Sequence, residues 1–321
     1  MDKAKITTLD KFKSNASRLL SNGFNVNELR TNNLLRKDEW ESIDDTVLQV
    51  ARQRLNAFAD VRDAGLTRSL GGLGTIIDIQ EKISEMSDAE IDMSGETEAE
   101  GDRQQFTPVS TPIPIIHKDF SFNIRMLEAS RNRGDSLDVT GVESATRKVT
   151  EAIEDMMFSG ASITVSGNTV YGFKTHPDVN TSTAVGGWGT ISNIYDTVIN
   201  MIADAEAASY YGPYVLYCNT NQYAETRAIY GDGSGQTARE RVEGISEIQA
   251  MKPTMALDDG ELVLVQLTRD VIEASVAQDI IPIEWESGDG MTLYFKVMAA
   301  LAPKPKSDYN GNSGIVYYTG A

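Results

Sequence analysis

Pro112-Ile113-Pro114-Ile115-Ile116 leads into Phe120-Ser121-Phe122-Asn123-Ile124-Arg125-Met126, and then, past a polar turn, into Thr140-Gly141-Val142-Glu143-Ser144-Ala145. This stretch decides the reading of the chain. The prolines fix an extended approach because each locks φ and removes a backbone donor. Phe120, Phe122, Ile124 and Met126 then alternate with Ser121, Asn123 and Arg125, the period of a strand with one apolar face. From Thr140 the period changes to three and four. Val142, Ala145, Val149, Ala152 or Ile153, and Met156 fall on one helical stripe, Thr140 with Glu143 fits a capping box, and Gly160 supplies a stop. A helix over 140–158 would be about 28 Å long at 1.5 Å per residue.

Upstream, residues 1–33 are polar and Asn-rich. Residues 35–59 read as one amphipathic helix with Leu35, Trp40, Ile43, Val47, Val50, Leu55 and Phe58 on its apolar side. Leu70-Gly71-Gly72-Leu73-Gly74 lacks the Gly-Lys-Ser/Thr ending of a phosphate loop and is read as a bend. Residues 78–103 hold ten acidic residues, among them Asp78, Glu81 and Glu85, against only Lys82 and Arg103, a net of −8. The carboxylates lack calcium-loop spacing. The stretch is expected to be an extended, solvated arm, because folding it into one compact subunit crowds like charges, whereas laying it across a second subunit does not.

Downstream, a second helix is expected over 191–209, with Ile191, Ile194, Val198, Met201, Ala205 and Ala208 as its stripe. A strand at 214–218 follows, then helices at 220–230 and 238–250 around the loop Gly231-Asp232-Gly233-Ser234-Gly235. Strands are expected at 261–267, 271–276, 280–285, 292–299 and 314–318. The class is α+β, with no internal repeat.

The 321 residues carry a net charge of −18, which disfavours phosphate neutralisation and hence direct nucleic-acid binding, as well as anionic membrane surfaces. No apolar run reaches 18 residues and no leader pattern opens the chain, so a soluble, cytoplasmically made protein is expected. Cys218, the one cysteine, follows the apolar Tyr214-Val215-Leu216-Tyr217 and reads as a small buried hydrophobe. His117 and His176 are the only histidines, too few for a zinc set, and no Gly-x-Ser-x-Gly elbow accompanies them. No enzyme, cofactor or metal is expected.

Arg131-Asn132-Arg133-Gly134-Asp135-Ser136-Leu137-Asp138 ahead of the long helix, Ala145-Thr146-Arg147-Lys148-Val149 within it, and the closing Glu154-Asp155-Met156-Met157-Phe158-Ser159-Gly160 resemble the linocin/encapsulin branch of the Hong Kong 97-type capsid fold. Leu34 to Asp44 and Gly71-Gly72-Leu73-Gly74 are similar to the N-terminal helix and the glycine turn of that branch. The resemblance implies an N-terminal arm (1–34), an N-terminal helix (35–63), an extended loop (64–120), and a peripheral domain (121–190) with the spine helix at 138–158. It further implies an axial domain (191–280) and C-terminal strands returning to the peripheral domain (281–321). It implies intersubunit contacts through Asp78, Glu81, Lys82, Glu85 and Arg103, and a loop tip of Gly231, Asp232, Gly233 and Gly235 at a symmetry axis. Val142, Ala145, Val149 and Met156 would form the core face of the spine helix. The implied function is a tailed-phage major capsid protein. Its homo-oligomeric pentamers and hexamers would close an icosahedral shell around double-stranded DNA, in the virion, assembled in the host cytoplasm with scaffolding, portal or decoration proteins. The longer, more acidic arm and the extra N-terminal segment favour this over an encapsulin compartment around a cargo enzyme.

Overall fold

The computed structural model describes residues 37–84, 86, 91, 93, 103–125, 140–230, 233, 235–287 and 291–321. The N-terminal arm, the turn 131–138, Glu85, Gly231 and Asp232 lie outside the described residues. In chain order the elements are α1 (Lys37–Arg54), α2 (Ala57–Asp63), β1 (Thr67–Ser69), β2 (Ile77–Ile83), β3 (Phe106–Pro112), β4 (Ile115–Asn123) and the spine helix α3 (Thr140–Ser159). Then follow β5 (Ala161–Val165), β6 (Asn168–Val170), β7 (Asn180–Thr183), α4 (Ile191–Ala207), β8 (Tyr214–Asn219), α5 (Thr220–Glu225) and α6 (Ala238–Glu243). The chain closes with β9 (Ile248–Thr254), β10 (Leu262–Gln266), β11 (Ile272–Glu286), β12 (Thr292–Pro305) and β13 (Ile315–Thr319).

Two larger sheets organise the chain. The first has the order β1-β11-β12-β4, and α3 packs across β4 and β12 with α1 beside it. Strand alternation explains why β4 fits here: Phe120 and Phe122 turn inward and ring-pack on Phe295 of β12 at centroid distances of 5.2 and 5.4 Å, while Ser121 and Asn123 face out. The second sheet has the order β7-β13-β10-β8-β9 and is covered on both faces. Val215, Tyr217, Val263, Val265 and Ile315 join the core around α3, and Tyr214, Leu216, Cys218, Leu262, Leu264 and Val316 join the core under α4. A strand buried on both faces reads as a continuous apolar run, which is what 214–218 is.

The spine helix stripe is where its spacing put it. Val142, Ala145, Val149, Ile153 and Met156 are all buried, as is Phe158, which contacts Phe173 and Tyr217 edge-on. Burial of each such large side chain contributes about 1.5–3 kcal/mol. Gly160 ends the helix at φ +72°, and a Cβ there would sit 2.2 Å from the carbonyl oxygen of Val170, so only glycine fits the exit.

Several expectations need correction. The helix expected over 35–59 breaks at Leu55–Asn56, and α2 starts at Ala57. The helix expected over 238–250 stops at Glu243, before Gly244, and Ile248–Thr254 is a strand parallel to β8; pairing beside a buried strand overrides local propensity. The helix expected over 220–230 ends at Glu225. The segments 271–276 and 280–285 are one bulged strand, β11, and it lies in the four-stranded sheet. Conversely β13 does not return with β12 to the first sheet. It pairs between β10 and β7 in the second, so the expected boundaries at 190 and 281 do not coincide with the sheets. Trp188, read as part of a turn, is 1% exposed and anchors the core under α4.

Candidate functional site

Strands β2 and β3 form a two-stranded hairpin that belongs to neither large sheet. A lone two-stranded ribbon is marginal in water, so its docking matters. The register pairs Asp78 with Thr111, Gln80 with Val109 and Lys82 with Thr107 on one face. Ile79 with Ser110, Glu81 with Pro108 and Ile83 with Phe106 occupy the other.

The face turned to the protein is the polar one. The Asp78 carboxylate, 4% exposed, accepts from Lys304 Nζ at 2.7 Å and Ser275 Oγ at 2.8 Å, with the Arg68 guanidinium 3.4 Å away. Burial pushes its carboxyl up, but the Lys304 and Ser275 hydrogen bonds and the Lys304 and Arg68 charges outweigh burial and hold it below the usual range. Two residues on, Gln80 Nε2 donates to Glu273 Oε2 at 2.6 Å, which also meets Lys306 Nζ at 3.1 Å. Two further, Lys82 Nζ donates to Ser307 Oγ at 3.0 Å and lies 3.8 Å from Asp178, itself the acceptor of the Ser307 hydroxyl. Residues 78, 80 and 82 thus pin the hairpin to β11 and to the end of β12.

The outward face is apolar. Ile79 is 61% exposed, Ile83 48% and Phe106 56%. Glu81, also exposed, stands on the same face. Between the hairpin, the β5–β6 turn and Pro303–Lys306 lies a groove of about 740 Å³, flanked by Tyr171, His176 and Tyr309. His176 Nδ1 accepts from the Asp178 amide at 3.3 Å, and burial lowers its basicity despite the Asp178 charge. Among the described residues no group of three or more His, Cys, Asp or Glu side chains is arranged to hold a metal ion, and no helix is long and apolar enough to cross a membrane. His117 stands on the exposed face of β4, its Nδ1 3.5 Å from Asp119. Cys218 is buried, and burial pushes its thiol up to about 12, so it is held as the neutral thiol.

Of the five expected contact residues, Glu81 and Arg103 are exposed and Lys82 is half-buried at the end of β2 nearest the connection to β3. Asp78 departs from the expectation of a solvated arm: it is an interior anchor of its own subunit, because three hydrogen-bonding or charged partners replace its hydration. Sequence reasoning missed those partners. Lys304 lies in a strand whose buried positions are otherwise apolar, and a lysine breaking such a run was the available signal.

Between α5 and α6, Gly233 and Gly235 are exposed with φ +83° and +73°. The loop is closed by a bridge between Ile229 and Thr237 and by the Tyr230 amide donating to Gln236 O at 2.9 Å. Arg241 stacks over Tyr230 at 4.0 Å, and the Thr237–Glu240 capping box starts α6 beneath. The four spine-face residues divide their contacts: Val142 packs with Ile43, Val47, Leu293 and Phe295, while Ala145, Val149 and Met156 join the larger core.

Known proteins resemble this arrangement along most of its length. The type 1 encapsulin shell protein EncA of Myxococcus xanthus (strain DK1622) is 25% identical over 275 residues, 84% of this chain and 89% of that protein. The virus-like particle of Pyrococcus furiosus superposes with a TM-score of 0.64 at 18% identity, covering 87% of this chain and 98% of that one. The capsid of Myoviridae phage XM1 superposes with a TM-score of 0.62 at 12% identity, covering 80% and 89%. The fold is therefore the Hong Kong 97-type capsid fold, of α+β class, shared by phage capsids and encapsulin shells. A family model matches residues 27–318, and the chain belongs to that family, described as a family of unknown function (DUF6260).

Proposed function

We propose that the protein is a structural shell subunit that self-assembles into an icosahedral capsid around phage double-stranded DNA. The observation that carries the reading is the inverted hairpin. Its polar face is locked to its own subunit, and its apolar face, with Ile79, Ile83 and Phe106, is left to water. Exposed contiguous apolar surface marks a contact surface, and a projecting strand pair suits a neighbouring copy. The acidic continuation, with Glu81, Glu85 and Arg103 at its two ends, would lie across that neighbour. Gly231, Asp232, Gly233 and Gly235 would stand at the five-fold or six-fold axis, and the residues before α1 would act as a strap. The net charge of −18 suits a wall that holds DNA without binding it. The protein is proposed to work in the virion after assembly in the host cytoplasm.

The 25% identity to an encapsulin shell protein favours a second reading, a compartment enclosing a cargo enzyme. The two readings separate by electron microscopy and native mass measurement of the chain expressed alone. Mixed sizes, or capsomers that close only with a scaffold, support the capsid. Small uniform closed shells that copurify with a cargo protein support the compartment. A monomer at every concentration overturns both.

A further inference from the structure

Glu154, inside the acidic closing motif of the spine helix, is 6% exposed. Helix α2 begins without a cap of its own, since the Asn56 side chain makes no capping bond. Glu154 supplies it from α3: Oε1 accepts from the Ala57 amide at 2.8 Å and Oε2 from the Asn56 amide at 3.3 Å. The Asn56 side chain instead donates to the carbonyl of Pro253 in β9 at 2.9 Å. One turn along α2, Asp60 accepts from the Tyr217 hydroxyl of β8 at 2.7 Å and pairs with Lys252 of β9. Four elements, α2, α3, β8 and β9, therefore meet at one buried polar cluster, which joins the spine helix to the edge of the second sheet.

We propose that Glu154, Asp60, Tyr217 and Lys252 form a proton-controlled latch between the spine helix and the five-stranded sheet, closed when Glu154 is protonated and loosened when it ionises. The ammonium of Lys252 is engaged by Asp60, and Glu154 takes its hydrogen bonds from the amides of α2 and its N-cap. Facing Glu154 are Asp60 from α2 and Tyr217 from β8, and Lys252 of β9 pairs with Asp60; Asp155, its neighbour in α3, faces Glu151, Lys148 and Lys174 instead. A protonated Glu154 still accepts the two amides. An ionised one is a buried charge without a counter-ion, and it is relieved by letting water in between α2 and α3. The titration falls in a useful range: burial pushes the carboxyl up to about 7, against the amides of Ala57, Phe58 and Asn56, with Asp60 repulsion adding to the rise. The folded value lies above the ordinary 4.5, so the stability linked to Glu154 is complete below about 4.5 and is lost as pH rises through about 7. The latch is independent of what the proposed shell would contain, and of whether one forms.

Hydrogen exchange of the full chain between pH 5.5 and 8.5, corrected for intrinsic rates, tests it. In the wild type, protection of residues 55–63 is expected to fall by roughly tenfold or more across this window. In Glu154→Gln, which keeps an acceptor oxygen and cannot ionise, protection stays flat. In Asp60→Asn, which removes the neighbouring charge, the midpoint moves to lower pH. An equal fall in wild type and Glu154→Gln, or no fall in the wild type, overturns the latch. If Glu154→Gln does not fold, an unmoved midpoint in Asp60→Asn overturns it.

Discussion

The spine helix and the hairpin are built on opposite plans. In α3 the apolar stripe faces inward and Arg147, Lys148 and Glu151 face water. In β2–β3 Asp78, Gln80 and Lys82 face inward and Ile79 and Ile83 face water. Each follows the period of its element, three-to-four for the helix and two for the strand. The difference lies in what completes each. The helix is finished within its own subunit. The hairpin is finished on one face only, and the surface it leaves open is what a partner would cover.

That comparison breaks or sharpens under substitution. The largest loss of stability is expected at Phe158→Ala. Phe158 is 0% exposed and ring-packed on Phe173 and Tyr217, so its truncation should cost about 4 kcal/mol by chemical denaturation. A cost below about 1 kcal/mol would mean the helix is not finished within the subunit. Next comes Lys304→Ala, which strands the buried Asp78 carboxylate with Arg68 and Ser275 as remaining partners, at about 3 kcal/mol. The double change Asp78→Leu with Lys304→Met should recover about half of that, because no buried charge remains. A Lys304→Ala chain as stable as wild type would show that the hairpin is not anchored here.

A smaller effect is the acid limb. The Asp78 carboxyl is held below its ordinary value of 3.8, so its contribution is present above that value and is lost as pH falls through the lower folded one. Denaturation below pH 4 should therefore be less steep in pH for Asp78→Asn than for wild type. The smallest effect on stability is expected from Ile79→Asp with Ile83→Asp, within about 0.5 kcal/mol, since both side chains already face water. The same pair should abolish any high-molecular-weight assembly of the chain by native mass measurement. Assembly unchanged in this variant would break the reading of the open face.

The spine helix, the α4 stripe and the buried strand Tyr214–Asn219 were legible in the residues, because each carries an unbroken period over many positions. The hairpin was legible only in part. Its charge announced an arm, but ten carboxylates look alike in sequence, and nothing local distinguishes Asp78, which is buried against Lys304, from Glu81, which is exposed. Glu154 was visible as part of a motif and not as the cap of another helix, since its partners Asn56 and Ala57 lie 98 and 97 positions away.

The sequence by itself determined the α+β class, the long helix with its Gly160 stop, the apolar strands and the acidic excess, because these follow from local sterics, periodicity and composition. Only the tertiary structure decided that β13 and β7 join the second sheet, that Asp78 is an internal anchor, and that Glu154 meets Asp60 at a shared buried site. These are pairings across long stretches of chain. Their free energy depends on which desolvated groups find partners, and no run of neighbouring residues encodes that.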